Sequence, residues 1–166
     1  MVLGLSLSAF TLLHVVISLV AIVSGLVVLY GMLASRRLDG WTGIFLATTV
    51  LTSVTGFFFP FDHLLPSHIV GIISLALLAI AILALYLGRL AQAWRWIYVL
   101  TATASLYLNV FVLVAQGFQK IGPLHALAPT QSDPPFAIAQ GVVLVIFVVL
   151  GVKAVRAFHP AMPATA

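Results

Sequence analysis

The stretch from Leu5 to Leu33, L-S-L-S-A-F-T-L-L-H-V-V-I-S-L-V-A-I-V-S-G-L-V-V-L-Y-G-M-L, decides the class of this protein. It contains no Asp, Glu, Lys or Arg, and it is longer than the roughly 20 apolar residues of helix that cross a hydrocarbon core about 30 Å thick. Four more apolar segments follow, so that the five run over about 5–33, 41–60, 68–88, 94–118 and 136–158. Backbone groups in a bilayer find no water to bond to, so each segment is expected to be a helix. The whole chain tells the same story, with 63% hydrophobic and only 6% charged residues against about 25% charged in an average soluble domain. The expected fold is therefore an all-α integral membrane bundle of five transmembrane helices forming one domain over residues 1–166, with no room for an extramembrane domain.

The first apolar run reads as a retained helix and not as a signal peptide. It has no basic n-region, no clear A-x-A cleavage site, and is too long for an h-region. The chain has no cysteine, which excludes disulfides, thiolate metal sites and cysteine nucleophiles.

The seven cations are scattered at segment ends and do not form the basic face that nucleic acid requires, so they read as a topology signal and no nucleic-acid partner is expected. Arg36 and Arg37 follow the first segment, Arg89 and Arg95 separate the third from the fourth, and Lys153 and Arg156 close the fifth. Lys120 alone lies on the other side. The positive-inside rule then predicts an outside N-terminus and a cytoplasmic C-terminus, in a multi-pass protein of a bacterial inner membrane. Trp41, Trp94 and Trp96 fall at the cytoplasmic level, where an aromatic belt belongs. A four-helix alternative, with the short Thr-rich second segment re-entrant, would put Arg36/Arg37 and Arg89/Arg95 on opposite sides and is disfavoured by the same rule. Asp39, Ser67 and Asp133 stand where N-caps are expected.

On this topology the polar residues gather towards the outside. His14 lies about two turns into the first helix, on a small polar stripe with Thr11, Ser18, Ala21 and Gly25 that should face other helices. Asn109 and Gln116 share a face of the fourth helix, and Thr48, Thr52 and Thr55 share one on the second. Asp62, His63 and His68 mark the outer ends of the second and third helices. The outer loop 119–135 carries His125 among four prolines, and its apolar residues Ile121, Leu124 and Leu127 predict an ordered lid over an outward-facing polar pocket. Each polar residue also has a plainer use: His14, Asn109 and Gln116 as interhelical glue, the threonines bonded to their own helices, Asp133 as a cap.

No catalytic motif is present, neither G-x-S-x-G, H-E-x-x-H, Walker sequence nor dinucleotide-binding turn. Three readings follow, and whether any of them includes catalysis is left open. In the first, the pocket binds a haem b or a quinone linked to electron transfer, with His14, His68, His125, Asn109 and Gln116 as binding residues. In the second, the chain is a non-catalytic accessory subunit whose partners are the bilayer, other membrane subunits or further copies of itself. In the third, His63, His68, His125 and Asp62 hold Zn or Cu at the outer face.

The spacing of His14 and Gly25, a short basic loop leading to G-W-T-G at Gly40 to Gly43, and a second helix ending T-G-F at Thr55 to Phe57 resembles an uncharacterised bacterial family of small polytopic membrane proteins sometimes grouped with diheme b-type membrane cytochromes. The resemblance covers about the first 90 residues and implies haem ligation by histidine. This chain has Leu38-Asp39 where that family usually has a His-Arg pair, which removes one candidate ligand.

Overall fold

A computed structural model describes residues 2, 4–60 and 66–160. Asp62 and His63 lie outside the described residues. The elements are α1 Leu7–Leu33, α2 Asp39–Gly56, α3 Pro66–Ile82 continued by a π-helical turn Leu83–Leu87, α4 Ala93–Lys120, the short α5 Gly122–Leu127, and α6 Pro134–Ala157. No strand occurs among the described residues. Among the described residues four helices are long and apolar enough to cross a membrane: Leu7–Leu33, Ser67–Leu87, Ala93–Lys120 and Pro134–Ala157.

Helix α2 is shorter and richer in threonine and packs alongside α1 from the basic end up to the level of His14. Its first turn lines a cavity with Arg36, Arg37, Tyr98 and Phe158, and its last turn touches His14. Helix α1 packs on α2, α2 on α3, α3 on α4, and α4 on α6, while α4 also reaches α1. The core lies along α4, where Tyr98, Val99, Ala102, Ser105 and Leu106 are buried against Phe45, Leu46, Leu78, Ala81 and Phe147. Outward-facing positions are apolar too, among them Leu12, Val23, Ile72, Leu83, Ile138 and Val145. Such a surface is stable against hydrocarbon and not against water.

All six cations expected on the cytoplasmic side share one end of the bundle, which closes by specific capping. Helix α1 ends in a Schellman arrangement: Ser35 takes the left-handed position at φ 54°, its N–H donates to the Met32 carbonyl at 3.1 Å, and Arg36 N–H donates to the Gly31 carbonyl at 2.8 Å. The Ser35 hydroxyl accepts from the His159 N–H at 2.8 Å. Arg95 donates to the carbonyls of Val155 and Phe158 at 3.1 and 2.6 Å, satisfying acceptors that the end of α6 leaves open. Between α3 and α4, Arg89, Leu90 and Gln92 all have positive φ, at 47°, 58° and 46°. Left-handed backbone costs a non-glycine residue about 1–2 kcal/mol, and here it folds Leu90 back into the core, where it is 5% exposed.

The capping expectations are met in part. Asp133 occupies the N-cap of α6, but Pro134 and Pro135 offer no N–H and the Phe136 N–H goes to the Asp133 carbonyl at 3.1 Å, while the carboxylate turns back to accept from the Thr130 N–H and hydroxyl at 2.7 and 2.9 Å. Asp39 is already helical, with Leu38 at the cap, and its carboxylate pairs with Arg37 at 2.8 Å. Ser67 lies inside the first turn of α3.

Candidate functional site at the His14 end

The expected site residues are engaged in separate helix contacts. His14, on α1, places Nδ1 2.8 Å from the Thr55 hydroxyl of α2 and rests edge-on against Phe59, with ring centroids 5.2 Å apart. Gly56 lies under the ring, where a Cβ would stand 3.9 Å from Cε1. His68, on α3, is buried and stacks on Phe57 at 5.5 Å, and Gly71 one turn further on leaves room for that phenyl ring. Thr55 and Phe57 are two residues apart and point about 200° apart around α2. The two imidazoles therefore grip opposite sides of the end of α2.

Asn109 donates to the Thr49 hydroxyl at 3.3 Å, joining α4 to α2. Gln116, seven residues on, is exposed. His125 is exposed on α5, which packs on α4. Of the lid anchors, Ile121 and Leu127 are 52% and 62% exposed, while Leu124 is half-buried and Ala128 fully buried. The segment is helical and attached through fewer side chains than expected. Among the described residues no three histidine or carboxylate side chains come together as a metal site.

Several polar contacts escaped the sequence reading. Ser53 donates to Ser74 at 3.3 Å across α2 and α3, and Gln140 of α6 donates to the Phe111 carbonyl of α4 at 3.0 Å. The polar face that α2 turns inward is Thr42, Thr49 and Ser53, in phase with the buried Phe45 and Leu46. The stripe at Thr48, Thr52 and Thr55 is only half-buried. The signal was available: 42, 45, 46, 49 and 53 follow the spacing of one helix face.

The His14 contact also fixes a proton. The Thr55 hydroxyl has one hydrogen, and its oxygen lies 2.7 Å from the Leu51 carbonyl, which can only accept. Thr55 therefore donates to Leu51 and accepts from His14, so Nδ1 carries the N–H. In a neutral ring protonated at Nδ1, Nε2 is a bare acceptor. It has no partner among the described residues and is not sealed in the interior. This is the arrangement by which a histidine is held ready to bind through its other nitrogen.

Compared with known protein families, with characterised proteins and with solved structures, the chain shows no significant match.

Proposed function

We propose that the chain crosses a bacterial inner membrane five times, with its basic end in the cytoplasm, and that the opposite end binds a lipophilic ligand of the quinone class linked to electron transfer. The observation that carries the reading is the orientation of His14. Its Nδ1–H is committed to Thr55, and Nε2 is left to accept from a hydroxyl such as that of a quinol. His14 is only half-buried, and Leu13 and Val15 on its flanks are exposed to lipid, so an isoprenoid-bearing ring reaches Nε2 from within the bilayer. A bis-histidine haem is less well supported, because His14 and His68 flank α2 on opposite sides.

The test is quinone analysis of an organic extract of detergent-purified protein, with absorption spectra before and after dithionite. Quinone is expected to co-purify with the wild type and to be lost from His14→Ala while circular dichroism stays helical. Equal quinone in both proteins, or none in either, refutes the proposal; a Soret band with reduced α-bands returns the site to haem.

A second reading, an accessory subunit of a larger membrane complex, is favoured by α6. That helix is the least buried of the four long apolar ones, at 22%, and its outward side from Ile138 to Val152 is continuously apolar.

A further inference from the structure

We infer that the bundle carries a site for an anionic phospholipid, with one acyl chain in the groove between α4 and α6 and its phosphate on Arg156. This rests on the membrane reading and is independent of the His14 ligand. The groove has a volume of about 270 Å³. Its floor is made of small side chains, Thr103 and Ala104 on α4 and Gly151 on α6, and its walls include Leu100, Tyr107 and Phe147. Small residues at a helix crossing usually bring the two backbones together. Here they leave a trough open to the lipid side.

What stands at the mouth selects the occupant. Four residues beyond Val152, one turn and about 6 Å along α6, is Arg156. Four residues before Leu100 on α4 is Trp96, 44% exposed. An interfacial tryptophan and a free guanidinium at one level are what a phospholipid headgroup meets. Arg156 is exposed and makes no ion pair among the described residues, and the carbonyls at the end of α6 are already taken by Arg95. The one carboxylate side chain at this end among the described residues, Asp39, is held by Arg37. The charge at the groove mouth is thus uncompensated and positive, which favours an anionic lipid over a zwitterionic one or a second apolar helix.

The test uses the full-length protein in mixed micelles and native mass spectrometry, with phosphatidylglycerol and phosphatidylcholine of equal chain length as probes. Phosphatidylglycerol is expected to be retained about fivefold better, the contribution of one basic residue near the surface. Arg156→Gln, a substitution on the exposed surface, should abolish that preference while leaving some lipid bound. Ala104→Phe, which fills the trough, should remove bound lipid of both kinds. Equal retention of the two lipids by the wild type, a preference that survives Arg156→Gln, or a dimer that forms in place of lipid binding and is broken by Ala104→Phe would each overturn the proposal. Should Ala104→Phe fail to fold, the Arg156→Gln comparison decides alone. Quinone content serves as the control, because it is expected to be unchanged in Arg156→Gln.

Discussion

Removing the Thr55 oxygen while keeping its shape tests the central contact of the candidate site. In Thr55→Val the His14 Nδ1–H, 2.8 Å from its acceptor in the native protein, is left half-buried without one. An unsatisfied donor of this kind costs about 1–2 kcal/mol. His14→Ala costs more, about 2–3 kcal/mol, because it also removes the ring from its edge-on contact with Phe59. The double variant isolates the bond itself. Interhelical hydrogen bonds in membranes average about 0.6 kcal/mol and reach about 1.7, and this short one, with its acceptor proton already committed to Leu51, is expected near 1 kcal/mol. Unfolding in mixed detergent and dodecyl sulfate micelles gives the four stabilities. A coupling energy within about 0.3 kcal/mol of zero would refute the contact. Nitrogen-15 spectra of ring-labelled protein supply the second check: Nδ1 must be the protonated nitrogen and Nε2 the bare one, and the opposite tautomer would remove the basis for ligand binding.

Three further outcomes can be measured alongside. Gly25→Ala places a Cβ 2.5 Å from the Leu106 methyl and 2.9 Å from the Phe45 ring and should destabilise the protein by about 1–3 kcal/mol, whereas Gly43→Ala, with nothing within 4 Å, should stabilise it by up to about 1 kcal/mol; micelle unfolding of both distinguishes them. Arg95→Met should cost about 1–3 kcal/mol and speed amide hydrogen exchange in the last turn of α6 without affecting α1. A periplasm-active reporter fused after Ala34 should be silent and one fused after Gln131 active; the reverse pattern would overturn the proposed orientation.

The helices were legible because each apolar run is bounded by charges, prolines or glycines, and observed ends fall within a few residues of those expected. The clustering of six cations at one end was legible for the same reason. Less visible was α2, whose threonines lower its hydropathy below that of its neighbours. Its inward face became apparent only once Thr49 had a partner in Asn109 and Ser53 one in Ser74. Depth along the chain gathers His14, His68, Asn109 and His125 towards one end but carries no angular information, so it predicts one pocket around all four. Packing directs them to different sides of α2 and α4. The irregular segment at residues 83–92 was also hidden, since π-helical and left-handed backbone follow from how Leu85 and Leu90 are buried and not from any glycine in the left-handed positions.

The hydroxyl of Ser35 and the guanidinium of Arg95 both reach the end of α6, so a helix synthesised after them is clasped by the loop that follows α1 and by the start of α4. Insertion of the early helices is then a provisional state: the Ser35 hydroxyl and the Arg95 fork wait for acceptors and donors that have not yet been synthesised. A chain truncated before α6 would present these groups, and the bare flank of α4, to the quality-control machinery of the membrane as the signature of an unfinished protein.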